Sequence, residues 1–160
     1  VGAAHLNTLL QEALNPSEVC LRRSGYSFRV NDKVMQIRNN YDKEVFNGDI
    51  GTVSSLDLEE RKLTVRFDDR EVEYDVTELD ELVQAYANTI HKSQGSEYPI
   101  VVTPVLMTHF VMLQRNLIYT GITRAKKLLV LVETKKAIGY AVRNVTVTNR
   151  NTRLKERLQA

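Results

Sequence analysis

Cysteine is almost absent from this chain of 160 residues. Cys20 stands alone, so an internal disulfide cannot form and a cysteine-based zinc site lacks its ligands. A reducing compartment, the cytoplasm, is the expected setting. No apolar run approaches the ~18 residues that a membrane-spanning helix requires, so no membrane partner is expected. The start, Val1-Gly2-Ala3-Ala4-His5-Leu6, has no basic region leading into a long apolar one, and no signal peptide is read there. It also lacks an initiator Met, so the chain is expected to be a piece of something longer. No Gly-x-x-x-x-Gly-Lys-Ser/Thr phosphate loop occurs, and no acidic pair ends a predicted strand beside one. By itself the chain is therefore not a complete P-loop ATPase. A Gly-x-Ser-x-Gly elbow and a His-Glu-x-x-His zinc helix are also missing. His5, His91 and His109 do not have metal-site spacing, and no bound metal is expected.

What is present is globular: 42% hydrophobic and 26% charged residues, enough for a core. The length suits one ordinary domain or two small modules. The net charge of +2 conceals an asymmetry. Residues 1–27 balance at zero, residues 28–83 hold 8 basic and 15 acidic side chains, and residues 84–160 hold 12 basic and 3 acidic. Balances of −7 and +9 suggest two modules in different surroundings. The basic one invites a polyanion, although the two could also simply attract each other.

Residues 3–14 read as a short helix, with Leu6, Leu9, Leu10 and Ala13 at helical spacing and Asn15-Pro16 as its stop. Residues 17–27 read as a loop. From Phe28 onward short strands dominate. Val45-Phe46 and the run from Ile50 to Val53 flank Asn47-Gly48-Asp49, a hairpin signal because both Asn and Gly tolerate positive φ. Leu63, Val65 and Phe67, then Val72, Tyr74 and Val76, alternate with polar residues across a turn at Asp68-Asp69-Arg70. Period two with charged outer positions means strands buried on one face. About five such strands in ~55 residues suit a small antiparallel barrel of the SH3 type. After Leu82 the texture changes. Residues 83–87 read as a buried strand, and 100–102 and 128–132 are continuous apolar runs, as in parallel strands covered on both faces. Leu113, Leu117, Ile118 and Ile122 fit a helix over 112–124, and Thr134 is placed to cap another. The pattern is α/β, but too short for a complete doubly wound domain. A last basic helix is predicted through Leu154 and Leu158.

Two segments carry polar residues where an α/β sheet presents its ligand side. The first is TIHKSQGSE, residues 89–97. Thr89, His91, Lys92 and Ser93 offer donors suited to phosphate oxygens, Gly95 allows close backbone approach, and Glu97 suits a ribose hydroxyl. A polar surface loop with one glycine turn explains the same residues. The second is YTGITRAKK, residues 119–127. There the donor fork of Arg124 suits a phosphate or carboxylate, or else neutralises a helix end.

In order, these two segments resemble motifs V and VI of superfamily-one helicases. LNTLLQEALNP at the start resembles the stretch after motif IV in the RecD-like branch. FRVNDKVMQIRNNYDKEVFNGDIGTV, residues 28–53, resembles the start of the SH3-type insert (subdomain 2B) that this branch carries, and RNTRLKERL resembles the usual end of these helicases. The resemblance runs over almost the whole chain. It implies a partial RecA-like parallel sheet with helices (subdomain 2A, residues 1–27 and 84–160) carrying an SH3-like barrel insert (residues 28–83). It implies an ATP-dependent DNA helicase of 5′-to-3′ polarity, active in DNA repair and recombination. The P-loop and the magnesium carboxylate would sit on an upstream RecA-like domain of the same protein. Gln94, Gly95, Glu97 and Arg124 would line the nucleotide cleft, with Arg124 as arginine finger. Thr89, His91, Lys92 and Ser93 would hold single-stranded DNA. Subunits of a nuclease complex are a further expected partner class.

The rival reading is a non-catalytic nucleic-acid-binding module, a barrel of the SH3/KOW type fused to a small α/β unit. A third is a relaxase-type protein embedding the same helicase core.

Overall fold

In the computed structural model, residues 2–68 and 70–145 are described. The chain divides into two compact units, Val1–Ser93 and Gln94–Ala160. The predicted terminal helix lies outside the described residues. No described helix is long and apolar enough to cross a membrane.

The first unit opens with helix α1, Ala3–Leu14, where the apolar spacing predicts it. The face it buries is only partly the predicted one, with Leu6 and Leu10 half-buried. Asn7 and Gln11 are its buried residues, whereas Leu9 and Leu14 are 48% and 69% exposed. Residues 17–27, expected as a loop, contain most of a hairpin. Strands β1 (Leu21–Arg23) and β2 (Tyr26–Phe28) turn through Ser24-Gly25, both with positive φ. Three-residue strands are too short to show alternation, so only the Ser-Gly turn signals them.

A five-stranded antiparallel sheet follows: β3 (Lys33–Gln36), β4 (Ile50–Asp57), β5 (Lys62–Phe67), β6 (Arg70–Asp75) and β7 (Leu82–Gln84), in the order β6-β5-β4-β3-β7. This is the SH3-like barrel. Leu63, Val65 and Phe67 point inward with Val72 and Tyr74, and they meet Phe28, Val34, Val45, Val53, Leu79 and Leu82 in one core. The Asn47-Gly48 turn forms, with Gly48 at φ 104° and the Asp49 N–H on the Phe46 carbonyl at 3.0 Å. It does not join two strands directly. It lies inside a long connection, residues 37–49, between β3 and β4, where Val45 makes only an isolated bridge to Asn40. Lys43 stands over the Tyr74 ring at 4.6 Å and pairs with Glu78 at 2.6 Å, anchoring that connection. The strand expected at 83–87 is shorter, and it pairs with β3 in the antiparallel sheet.

The second unit holds β8 (Tyr98–Val105) and β9 (Ala125–Glu133), which pair in parallel as their apolar runs predict. A 3₁₀ segment (Met107–Met112) and helix α2 (Arg115–Ile122) connect them. Helix α3 (Lys135–Arg143) follows, and Thr134 caps it by accepting from the Ala137 N–H. Val105, Leu113, Ile118, Ala137 and Ala141 form a core with Leu131. Burial along the two strands nevertheless alternates. Ile100, Val102, Leu128, Val130 and Val132 remain exposed, because the described residues of the unit cover one face of the pair only.

Candidate functional site

Residues 89–93 lie in the first unit as a turn. The Ser93 N–H donates to the Thr89 carbonyl at 3.1 Å, and the Lys92 N–H reaches the Thr89 hydroxyl at 3.3 Å. Thr89, His91 and Lys92 are exposed. Ser93 is not: its hydroxyl is turned inward and donates to the Ile90 carbonyl at 2.8 Å. Ser93 therefore shapes the turn, and the outward polar set is Thr89, His91 and Lys92.

The second unit carries the remaining sequence-predicted residues. Gln94, Gly95 and Glu97 are exposed. Gly95 has φ 86°, a conformation that an L-residue adopts only with strain, and nothing crowds the place of its missing Cβ. The parallel register sets Tyr98 beside Ala125, which draws residues 94–97 to the C-terminal end of α2. Arg124 sits at that junction. Its Nη1 donates to the Ser96 carbonyl at 3.0 Å, its Nε to the Thr120 carbonyl at 3.3 Å, and its Nη2 to the Thr123 hydroxyl at 3.3 Å. The Tyr98 N–H donates to the Arg124 carbonyl at 2.8 Å. Three of the five guanidinium N–H groups are thus engaged, and two remain for an anion. Glu97 pairs with Lys126 at 3.0 Å, both half exposed, so the pair is held loosely. Among the described residues no group of three or more His, Cys, Asp or Glu could hold a metal ion.

Sequence reasoning missed a polar network behind the turn. The Asp32 carboxylate is fully buried. Its Oδ1 accepts from Asn15 Nδ2 at 2.7 Å and the Tyr86 hydroxyl at 2.8 Å, and its Oδ2 from the Arg29 N–H at 2.7 Å and from Gln11 Nε2. Gln11 Nε2 also donates to the Ser27 carbonyl, as does Gln84 Nε2. Burial, and next the bond to Asp32, push the Tyr86 phenol up to about 12. Asn7 clamps Ala87 with two bonds of 2.8 Å, to its carbonyl and from its N–H. The available signal was the pair of polar residues at i and i+4 on an otherwise leucine-rich helix, which the apolar count had hidden.

Two family models match successive parts of the chain. Residues 6–67 match the family model described as the ATP-dependent RecD-like DNA helicase SH3 domain. Residues 84–132 match the UvrD-like helicase C-terminal domain. Among solved structures, Pif1 helicase from Bacteroides in complex with ADP-AlF3 and single-stranded DNA superposes with a TM-score of 0.63 at 21% identity, over 86% of this chain and 41% of that one. Bacteroides Pif1 bound to single-stranded DNA gives 0.57 at 20% identity, over 82% and 39%. At that identity the likeness concerns the fold alone. Sequence relatives are nearer. The ATP-dependent RecD2 DNA helicase of Deinococcus radiodurans is 39% identical over all of this chain and 22% of its own length. The RecBCD enzyme subunit RecD of Haemophilus influenzae is 33% identical over 89% of this chain and 21% of its own. The chain belongs to the RecD-like DNA helicase family. It spans about a fifth of the length of these curated relatives.

Proposed function

We propose that this chain is the motif V and motif VI side of an ATP-dependent DNA helicase that moves along single-stranded DNA. The observation that carries the reading is the Arg124 guanidinium bonded to the Ser96 carbonyl, which joins residues 94–97 to the end of α2. The two remaining donors of Arg124 would meet the γ-phosphate and stabilise the charge that develops as it transfers. Gly95 lets main chain approach the nucleotide, Gln94 lies beside it in sequence, and Glu97 would accept from a ribose hydroxyl. ATP with magnesium is the expected substrate. The metal would be held by the P-loop domain of the same protein. Thr89, His91 and Lys92 would bind the DNA backbone, with Ser93 shaping their turn; such contacts depend on salt and not on base sequence.

In this reading residues 28–83 are the barrel insert, and residues 1–27 with 84–160 belong to the second RecA-like domain. Polarity would be 5′-to-3′, and the place of action the cytoplasm, in DNA repair and recombination. The protein would act alone or within a nuclease complex; one curated relative is named as a subunit of the RecBCD enzyme.

The test uses the full-length protein. Arg124→Ala should lower ATP turnover by a large factor, up to ~10³–10⁵, with nucleotide binding retained. His91→Ala should weaken single-strand affinity and DNA-stimulated ATPase together. Normal turnover in Arg124→Ala would remove the residue from this role. Binding of single strands by the 160-residue chain at full strength, with no ATPase when the P-loop domain is supplied, would favour the non-catalytic module.

A further inference from the structure

The turn that carries Thr89 and His91 is reached through residues 82–87, and this approach is pinned residue by residue. Strand β7 pairs with β3 as far as Gln84. Beyond it the Ala85 N–H donates to the Lys33 carbonyl at 2.8 Å. The next two residues have no strand partner, and side chains take over. Tyr86 donates its hydroxyl to Asp32 Oδ1 at 2.8 Å. Asn7 bonds both the N–H and the carbonyl of Ala87, as a neighbouring strand would. Asn7 is 6% exposed and Asp32 fully buried.

These are costly choices for packing alone. A buried carboxylate with four neutral donors and no cationic hydrogen-bond partner is a poor way to seat a helix on a barrel. Helix α1 has leucines for that purpose, yet Leu6 and Leu10 are only half-buried and Leu9 and Leu14 face outward. What the polar face achieves is directional: hydrogen bonds fix the position of a main chain, which apolar contact does not.

We propose that α1 is a positioning helix for the DNA-contacting turn. Asn7, through Ala87, and Asp32, through Tyr86, set where Thr89 and His91 stand on the barrel unit. Asn7, Asp32 and Tyr86 are positioning residues that touch no DNA themselves. The proposal rests on the reading of Thr89 and His91 as backbone contacts.

The test again uses the full-length protein, with oligo-dT as probe. Asn7→Asp keeps the acceptor for the Ala87 N–H and removes the donor to its carbonyl. Tyr86→Phe removes only the hydroxyl. Both should raise the oligo-dT concentration for half-maximal ATPase stimulation by about 2- to 30-fold, the span of long-range coupling seen for residues that touch neither ligand. Turnover at saturating DNA should be nearly retained, and amides of residues 88–93 should exchange faster with solvent. A variant that lowers the melting temperature but leaves both the half-saturating concentration and the exchange of 88–93 unchanged is merely structural, and overturns the proposal. If Asn7→Asp does not fold, Tyr86→Phe decides alone. His91→Ala separates the two levels. If it weakens DNA dependence while the positioning variants do not, only the positioning role fails. If it too has no effect, the DNA reading fails and the positioning role with it.

Discussion

Asp32→Asn should destabilise the barrel unit by about 2–5 kcal/mol, because every partner of the carboxylate is a donor. Oδ1 takes the Asn15 amide and the Tyr86 hydroxyl, and Oδ2 takes the Arg29 N–H and the Gln11 amide. An asparagine keeps one oxygen and turns the other into an NH₂ group. If the NH₂ replaces Oδ2, two N–H donors face it: the Arg29 main chain cannot reverse, and the Gln11 amide could turn only by giving up its bond to the Ser27 carbonyl. If it replaces Oδ1, the Tyr86 hydroxyl can turn and accept, but one N–H of the Asn15 amide is orphaned while the other keeps the Val30 carbonyl. The second arrangement is the cheaper. It orphans one donor, at about 1–3 kcal/mol, and converts two charge-assisted bonds to neutral ones, at about 1 kcal/mol each. Relief from burying a charge offsets part of this. Urea unfolding followed by far-ultraviolet circular dichroism measures the difference, and the melting temperature should fall by roughly 4–8 °C per kcal/mol for a unit of this size. Tyr86→Phe is the calibrating control, at about 1 kcal/mol. A loss below about 1 kcal/mol for Asp32→Asn, or a gain, would refute the view that the carboxylate organises this network.

Gly51→Ala should cost about 1–3 kcal/mol or more, because a Cβ there would stand 2.5 Å from Val65 Cγ1 and 2.9 Å from the Arg66 carbonyl oxygen, and the latter is main chain in a paired strand; thermal unfolding reads it, and an unchanged midpoint would show that β4 and β5 part easily. Thr134→Ala should remove the cap of α3 and loosen its first turn by about 1 kcal/mol, visible as faster amide exchange at Ala137. Acid should unfold the barrel unit through three carboxyls held below their ordinary values. Burial pushes Glu78 up, but the Lys43 ammonium and the Asp75 N–H outweigh it; the Thr77 N–H and hydroxyl hold Asp75 down; the Ser24 hydroxyl and then Arg23 hold Asp80 down. Folded values below unfolded ones mean stability that is complete above the ordinary carboxylate range and lost as pH falls through the folded values. Unfolding free energy should therefore be level above about pH 5 and decline below it, less steeply in Lys43→Met, and a level profile down to pH 2.5 would contradict the pairing.

Local patterns in the sequence were sufficient for several elements because short-range physics decides them. Alternation at Leu63, Val65, Phe67, Val72 and Tyr74 made β5 and β6 readable, since a strand with one buried face has period two. The continuous runs at 100–102 and 128–132 marked a parallel pair, and Thr134 marked a cap. Residues 89–97 and 119–127 were legible as candidate sites because their polar residue types stand close together in the sequence. The β1–β2 hairpin was not legible, because three-residue strands carry no period. The Asn47-Gly48 turn was recognised but given the wrong neighbours, because a tight turn does not say whether strands or loops flank it.

The amino-acid sequence by itself determined where most strands and helices lie, and which residues have the chemistry to meet phosphate. Tertiary structure alone decided which of them are free to do so. It turned Ser93 inward onto Ile90, set Arg124 on the Ser96 carbonyl, and buried Asn7, Gln11 and Asp32 around Tyr86 and Ala87. The reason is the sequence distance between partners. Asn7 and Ala87 are 80 residues apart, and Asp32 and Tyr86 are 54 apart. A periodicity confined to one helix or strand has no term that joins them. Only the closing of the barrel brings those donors and acceptors within hydrogen-bonding reach.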